Sequence, residues 1–258
     1  MSLTIHQLKL GYQGTVTVKL NQLNIIEGAV NCIIGPNGCG KSTLLRGLSN
    51  LMPPLSGEVQ LNNIPLAQWS RKSLAQKLTV LPQDPQPPAG ISLGQLVMQG
   101  RFPHQRLLAN NSLADHQACK WAMQVTGTTS LERRLFEQLS GGERQRGWIA
   151  MVLAQKTKYL LLDEPNTFLD IGHQLEIMRL LRRLNQTNSI TLIIVLHEIN
   201  HACQFADQLI VLREGRLVSQ GPPNDIMSAD LLHDVFQVNA EVIKRQQKGH
   251  RFPYSIIT

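Results

Sequence analysis

Hydrophobic residues along the chain form short apolar runs that alternate with segments of helical spacing. Apolar runs bounded by turn residues predict strands, and apolar positions three and four residues apart predict helices. The predicted strands are residues 3–5, 16–18, 23–26, 29–34, 58–61, 77–81, 159–164, 191–196, 208–213, 216–219 and 241–243. The predicted helices are residues 41–48, 70–75, 93–99, 115–126, 143–155, 170–184, 199–205, 223–227 and 229–236.

Two patterns of predicted secondary structure occur along the chain. Strands alternate with helices in most of it, which predicts a mainly parallel sheet covered by helices on both faces. A proline-rich, non-helical stretch at residues 86–90 interrupts this pattern, and helical spacing dominates from there to about residue 155. We predict one domain of residues 1–258, with an α/β core of residues 1–85 and 156–258 and an inserted helical lobe of residues 86–155.

Composition argues against a secreted, a membrane-spanning or a disulfide-rich protein. The 258 residues are 42% hydrophobic, which is ordinary for a globular chain. The N-terminus lacks the features of a signal peptide, and no run approaches the roughly 20 apolar residues of a membrane span. The four cysteines are scattered without a C-x-x-C pair, which favours reduced thiols over a disulfide framework or a zinc site.

The chain is basic, with a formal net charge of +7. Such a balance is compatible with nucleic acid, an anionic membrane surface or anionic ligands. The modest clusters, which lack interleaved aromatic residues, are Arg179/Arg182/Arg183 and Lys244/Arg245/Lys248/Arg251. We therefore expect a solvated or membrane-proximal face, and no nucleic-acid partner.

One glycine-rich stretch matches the phosphate-binding pattern G-x-x-x-x-G-K-[ST]. It reads Gly35-Pro36-Asn37-Gly38-Cys39-Gly40-Lys41-Ser42, and we call it the phosphate loop. A predicted strand precedes it and a predicted helix follows, as the motif requires. The glycines let backbone N–H groups surround an anion, Lys41 would neutralise terminal phosphates, and the Ser42 hydroxyl would bind Mg²⁺. Cys39 is expected to make the loop sensitive to thiol modification.

Further polar signals lie at the carboxyl ends of other predicted strands or directly after them, namely Gln83, Asp163-Glu164 and His197. Alone, each has an ordinary interpretation: a loop amide, a charge pair at a helix start and a buried histidine. Ligands of parallel sheets bind at the carboxyl ends of strands, where all of these residues are predicted to lie. Together with the phosphate loop they could supply a phosphate grip, metal ligands, a base and a phosphate sensor.

The segment Leu139-Ser140-Gly141-Gly142-Glu143 is similar to the signature motif of the ATP-binding cassette ATPases, and we call it the signature segment. The chain resembles that family over nearly its whole length. The resemblance implies an α/β fold: a P-loop NTPase core with a mainly parallel sheet, an N-terminal antiparallel β subdomain and an inserted helical subdomain. It also implies ATP hydrolysis with Mg²⁺.

The resemblance assigns roles to individual residues. Tyr12 would stack on adenine, Glu164 would be the general base, Gln83 would sense metal, water and the membrane partner, and His197 would contact the γ-phosphate. The implied catalytic residues are Glu164, His197, Gln83 and Lys41. The implied metal ligands are Ser42, Gln83 and Asp163. The implied ATP-binding residues are Tyr12, Gly35, Pro36, Asn37, Gly38, Cys39, Gly40, Lys41, Ser42 and Thr43.

In the family, signature residues contact the nucleotide of the opposite subunit. Ser140, Gly142 and Asp170 would therefore act on the ATP of a second copy, which implies a head-to-tail dimer around two ATP molecules. A turn of Ser and Gly before a helix suits this role, because it presents N–H groups and a helix dipole to phosphate.

The stretch His197-Glu198-Ile199-Asn200-His201 also matches H-E-x-x-H, the zinc-metalloprotease pattern. That pattern needs both histidines on one helix and a third ligand. Here His197 ends a predicted strand, and the helix is predicted to begin afterwards. We therefore expect the match to be accidental.

Other segments resemble importers of iron–siderophore, haem and vitamin B12 type. They are Leu81-Pro82-Gln83, Gly100-Arg101-Phe102-Pro103-His104, Asp170-Ile171-Gly172-His173-Gln174 and Leu231-Leu232-His233-Asp234-Val235-Phe236. The resemblance implies an importer ATPase, peripheral on the cytoplasmic face of the inner membrane, that works with permease subunits and a substrate-binding protein. The expected cargo is a ferric siderophore. The alternatives are another cargo, a non-transport cassette ATPase, and a regulatory module that hydrolyses ATP poorly; the complete set of Lys41, Asp163, Glu164 and His197 argues against the last.

Overall fold

The computed structural model describes residues 2–105, 111–167, 169–247 and 250–257. Lys248 of the second basic cluster lies outside the described residues. The strands are β1 (Leu3–Tyr12), β2 (Thr15–Asn24), β3 (Val30–Ile34), β4 (Ser56–Leu61), β5 (Ile64–Pro65), β6 (Leu78–Leu81), β7 (Tyr159–Asp163), β8 (Thr191–Val195), β9 (Gln208–Arg213), β10 (Arg216–Gly221), β11 (Ala240–Gln247) and β12 (His250–Ile257). The helices are α1 (Lys41–Leu48), α2 (Arg71–Ala75), α3 (Leu93–Gln99), α4 (Leu113–Val125), α5 (Gly141–Ala154), α6 (Ile171–Asn188), α7 (Ile199–Phe205), α8 (Pro223–Ile226) and α9 (Ala229–Phe236).

The chain forms two compact units, of which the first comprises Met1–Trp69 and Leu184–Thr258. In this unit β1, β2, β4 and β5 form an antiparallel sheet in the order β2-β1-β4-β5. The strand β3 lies parallel between β8 and β9, and β10 pairs antiparallel with β9. Every residue of β3 and β8 is buried, which explains why these strands read as continuous apolar runs.

The second unit comprises Ser70–Arg183. Its strands β6 and β7 pair in parallel, and α5 packs against α3 and α4. Gly147 lies inside α5, where a Cβ atom would come within 2.7 Å of the Leu93 side chain, so the glycine permits close helix packing. The predicted helical lobe of residues 86–155 falls within this unit, and its boundaries stay a prediction.

Most predicted elements are confirmed, and four helices have the predicted bounds: α1, α3, α7 and α9. The N-terminal strands were predicted wrongly, because β1 and β2 are each one long strand of a hairpin. Tyr12 ends β1, and Gln13 and Gly14 form the turn of the hairpin. A second strand in the tail, β12, was missed; it pairs with β11 along its whole length.

No helix in the described ranges combines the length and the apolar character that a membrane span requires. All four cysteines are described and buried, and none of them forms a disulfide. The predicted absence of a disulfide framework therefore agrees with the structure.

Candidate functional site

The phosphate loop of the first unit connects β3 to α1. The N-cap of α1 is Gly40, whose φ of 100° is a conformation that glycine adopts without strain, and no side chain caps this end. The first N–H groups of a helix have no partner inside the helix. Thr43 is buried and Ser42 half-buried in this first turn. The loop therefore presents backbone donors and the positive end of a helix dipole, as binding of an anion requires.

Lys41 is buried in the loop, with 5% of its surface exposed. Its Nζ donates hydrogen bonds to the carbonyl oxygens of Gly35, at 2.9 Å, and Pro36, at 3.0 Å. These bonds hold the ammonium group inside the curve of the loop. A cation in this position complements a phosphate held by the surrounding backbone N–H groups.

The hairpin between β9 and β10 braces the phosphate loop. A Cβ atom on Gly35 would lie 2.2 Å from the carbonyl oxygen of Leu212, and Gly215 donates its backbone N–H to the Cys39 carbonyl at 3.0 Å. We did not predict this support from the sequence, in which Glu214-Gly215 indicates only a turn between two strands. Burial raises the pKa of the Cys39 thiol against the effect of the neighbouring Lys41 charge, which disfavours the reactive thiolate; sensitivity to thiol modification stays a prediction.

Tyr12, the candidate for stacking on adenine, exposes 46% of its surface. The Arg46 guanidinium, in α1, donates a hydrogen bond to the Tyr12 hydroxyl at 3.3 Å. Tyr12 thus offers an accessible ring face whose hydroxyl end is tied to the helix that follows the phosphate loop. Sequence reasoning did not single out Arg46.

In the second unit, Glu164 directly follows β7 and is buried. Its backbone has a φ of 51°, in the left-handed region that is strained for a glutamate. Its Oε2 accepts hydrogen bonds from the Gln83 amide, at 2.6 Å, and from the Thr167 hydroxyl, at 3.1 Å. The structure thus brings together two predicted site residues and adds Thr167, a role we missed.

Asp163 is the last residue of β7 and is buried. The carboxylate of Asp163, the Gln83 amide oxygen and the Ser42 hydroxyl are hard oxygen donors of the kind that Mg²⁺ prefers, so their chemistry fits this ion. Among the described residues, no three His, Cys, Asp or Glu side chains gather as a metal cluster.

Ser140 of the signature segment is the N-cap of α5. Its hydroxyl accepts the Glu143 N–H at 3.3 Å, while the Glu143 carboxylate accepts the Ser140 N–H at 2.8 Å. This is a capping box. The N–H groups of Gly141 and Gly142 lie in the first turn of α5. Ser140 is exposed and Gly142 is buried.

Asp170 immediately precedes α6, and its Oδ1 accepts the backbone N–H of His173 at 2.9 Å. Its other oxygen accepts a bond from the His173 ring at 2.7 Å. The backbone bond and then the ring bond lower the pKa of Asp170. Asp170 therefore stays ionised at neutral pH, which suits both a helix cap and a polar contact with another molecule.

His197 is exposed and lies between β8 and α7, whose N-cap is Glu198. His201 lies inside α7, and its Nδ1 is buried without a hydrogen-bond partner. Burial also lowers the pKa of His201. The two histidines of the H-E-x-x-H match are therefore not on one helix, as the zinc-metalloprotease pattern would need.

Comparisons with known proteins extend these observations. The model of the ABC transporter family matches residues 18–167. The iron(3+)-hydroxamate import ATP-binding protein FhuC of Bacillus subtilis (strain 168) is 43% identical over 242 residues, which cover 94% of this chain and 90% of the relative.

Two solved structures have the same fold as this chain. One, assigned to the metal-chelate type of ABC transporter and seen in an inward-facing conformation, matches with a TM-score of 0.84 at 28% identity; the match covers 100% of this chain and 97% of that chain. The other is a dimeric structure of the bacterial ABC transporter cassette MJ0796. It matches with a TM-score of 0.73 at 26% identity, over 85% of this chain and 98% of that chain.

Proposed function

The chain belongs to the ABC transporter family and is one of its ATPase subunits, and we propose that it powers the import of a ferric siderophore. Two copies would pair head to tail around two ATP molecules at the cytoplasmic face of the inner membrane. Separate permease subunits would form the path through the membrane, and a substrate-binding protein would deliver the cargo to them.

The observation that carries the proposal of hydrolysis is the setting of Glu164. Two donors, Gln83 and Thr167, bind the same carboxylate oxygen, Oε2. This arrangement fixes the orientation of the carboxylate. A general base needs such a fixed orientation toward its water, and the strained backbone at Glu164 is typical of functional positions.

The other residues would bind and orient the nucleotide. Lys41 and the N–H groups of the phosphate loop would hold the β- and γ-phosphates, the exposed ring of Tyr12 would stack on the base, and His197 would contact the γ-phosphate. The oxygen donors Ser42, Gln83 and Asp163 would hold Mg²⁺ with the nucleotide. The ion would supply positive charge that stabilises the phosphates during transfer to water.

The head-to-tail dimer would complete each site. The relative MJ0796 forms a dimer, and the signature segment places a serine hydroxyl and first-turn N–H groups at the start of a helix, where a phosphate can bind. Ser140, Gly142 and Asp170 of one copy would act on the ATP of the other. ATP binding would then favour the closed pair, and hydrolysis would favour its separation.

The cargo assignment is supported by the relative FhuC, which is named for import of iron(3+)-hydroxamate, and by the solved transporter of metal-chelate type. Both matches span nearly the whole of this chain. Both names refer to a chelated metal, and a ferric siderophore is a cargo of this kind.

The variant Glu164→Gln tests the catalytic part of the proposal. Since glutamine cannot take a proton from water, ATP turnover should fall at least a hundredfold while ATP affinity changes by no more than about twofold. Phosphate release and titration with a fluorescent ATP analogue measure the two quantities. The matched control is Glu176→Gln, at an exposed acid paired with Arg146, which should leave turnover unchanged. Undiminished turnover in Glu164→Gln would exclude Glu164 as the base.

Uptake measurements test the cargo. In cells lacking the gene, uptake of a ferric hydroxamate siderophore carrying radioactive iron should be lost, and the native gene but not the Glu164→Gln variant should restore it. Loss of haem or cobalamin uptake instead would assign a different cargo. If all uptake persists and no polytopic membrane protein co-purifies with the chain, a non-transport ATPase is the better assignment.

A further inference from the structure

His173 lies in a segment whose resemblance to siderophore importers gave it no role, yet two fixed bonds hold its side chain. Asp170 Oδ1 accepts the backbone N–H of His173 at 2.9 Å, and Asp170 Oδ2 accepts a bond from the ring Nδ1 at 2.7 Å. Because an ionised carboxylate only accepts hydrogen bonds, Nδ1 must carry the proton. The orientation of the imidazole is therefore set by Asp170.

The opposite edge of the same ring lies against the signature segment. A Cβ atom on Gly142 would come within 2.6 Å of the His173 Cδ2 and 3.1 Å of its Nε2. The ring thus occupies the space that any side chain at residue 142 would need. Gly142 can only be glycine while His173 stays bonded to Asp170.

We propose that His173 is a positioning residue of the dimer interface, whose imidazole links Asp170 to Gly142. It thereby fixes the spacing between the two segments that meet the nucleotide of the second copy. This inference rests on the proposed function, because it assumes that Ser140, Gly142 and Asp170 act on that nucleotide. His173 itself needs no contact with ATP.

The physical reason is preorganisation. Both segments are exposed at the surface, since Ser140, Gly141, Asp170 and Ile171 all have exposed side chains or backbone. Two surface segments that move independently must each be ordered when a partner binds, and this ordering weakens association. A ring bonded to one segment and packed on the other removes part of that cost. The link therefore affects closure of the dimer and leaves nucleotide binding by a single copy unchanged.

The test uses the Glu164→Gln protein, in which ATP is bound but not hydrolysed. Sedimentation velocity over a range of protein concentrations gives the dissociation constant of the ATP-dependent dimer. The change His173→Ala should raise this constant about tenfold, since the symmetric interface of the pair contains the link twice and loses both copies. At dilute protein, affinity for a fluorescent ATP analogue should stay within about twofold of the parent. The midpoint of urea denaturation should not change within error.

Two further variants separate the link from a simple helix cap. His173→Asn keeps a donor for Asp170 but loses the outer edge of the ring, so it should recover less than half of the lost dimer affinity. Gly142→Ala should weaken the dimer in the parent but add no further loss in the His173→Ala background, where the clash is absent. His233→Ala, at an exposed histidine next to Asp234, is the matched control and should change nothing.

The outcomes distinguish the two proposals. A parent that binds ATP without forming a dimer would overturn the head-to-tail arrangement and this inference with it. If the parent and the His173→Ala variant have the same dimer dissociation constant, this inference fails while the head-to-tail arrangement stands. Full recovery by His173→Asn would also overturn it, because the bond to Asp170 would then suffice and the contact with Gly142 would have no role.

Discussion

Two helix N-termini are proposed to bind phosphate, and the chain builds them in opposite ways. The start of α1 has a glycine N-cap with a φ of 100° and no capping side chain. The start of α5 has a complete capping box, in which Ser140 and Glu143 satisfy each other's backbone N–H groups. One end is open to an anion, and the other already contains a carboxylate.

This difference indicates two modes of binding. At α1, the uncapped N–H groups and the buried Lys41 favour an anion strongly, so this end should hold ATP in a single copy. At α5, the backbone hydrogen bond from Ser140, followed by the bond from its hydroxyl, lowers the pKa of Glu143, which is therefore charged at neutral pH. That charge opposes a second anion. We infer that the α5 end engages phosphate only when the second copy presents it.

The largest effect is expected at the open end, for Gly35→Ala. The new Cβ would meet the Leu212 carbonyl oxygen at 2.2 Å, and since that atom is backbone it cannot turn away. The free energy of unfolding should fall by about 3 kcal/mol, as measured by urea denaturation. Gly38→Ala is the control: its φ is 75° but no atom lies within 4 Å, so it should cost only about 1 kcal/mol. Equal losses of unfolding free energy in the two variants would show that the close approach of the Leu212 carbonyl to Gly35 does not matter for stability.

The next largest effect is expected on ATP affinity at the start of α1. Lys41→Ala removes the cation of the open end, so ATP affinity of the dilute protein should fall about a hundredfold, or roughly 2.7 kcal/mol. Titration with a fluorescent ATP analogue measures this. Lys19→Ala, at an exposed lysine in β2, should not change affinity. If Lys41→Ala binds ATP normally, the open end is not the primary phosphate site.

A third helix start, at α4, shows what a buried cap contributes. Burial alone would raise the pKa of Asp115, but hydrogen bonds from Arg101 and Ser112 outweigh it and hold this pKa at about 2. A lowered pKa stabilises the fold above the ordinary value of about 4, and this stability is lost as the pH falls from about 4 toward 2.

Asp115→Asn should therefore lower the free energy of unfolding by about 2 kcal/mol or more at pH 7, because the buried Arg101 also loses its ion pair. The difference from the native chain should shrink in urea titrations as the pH approaches 2. A difference that does not depend on pH would mean that the Asp115 charge contributes nothing. Glu143, in the exposed cap of α5, should show a much smaller dependence.

The smallest effect on stability distinguishes the α5 cap from an ordinary one. Ser140→Ala and Ser92→Ala each remove the serine of a capping box, so each should cost about 1 kcal/mol in urea denaturation. Only Ser140→Ala should also lower ATP turnover, by about tenfold, because only that hydroxyl is proposed to meet a phosphate. Equal turnover in the two variants would argue that Ser140 is a cap and nothing more.

Local patterns predicted the parts of the fold that depend on neighbouring residues. The bounds of α1 follow from the phosphate loop before it, and α3 begins directly after Ser92, a serine ahead of an apolar run, which caps it. Such elements carry their caps and their hydrophobic period within a few residues, so the sequence alone could define them.

Elements stabilised by distant partners were harder to predict. The strand β12 was missed because the tail is rich in polar residues and its strands lack a clear apolar alternation. Its support comes from α7: the Asn200 side chain donates to the Ser255 carbonyl at 3.0 Å and accepts the Ser255 N–H at 2.8 Å. Phe252 of the same strand is buried. These contacts join residues that are far apart in the sequence, so a local sequence pattern cannot predict them.

The phosphate loop, the signature segment, Glu164 and His197 could all be proposed from the sequence, because each belongs to a short motif whose chemistry depends on residue types at fixed spacing. The tertiary structure alone revealed what holds them. Thr167 binds Glu164, Leu212 packs on Gly35, and His173 fills the space beside Gly142. These contacts depend on where separate segments meet, and the free energy of packing that decides this belongs to the whole fold and not to any local pattern.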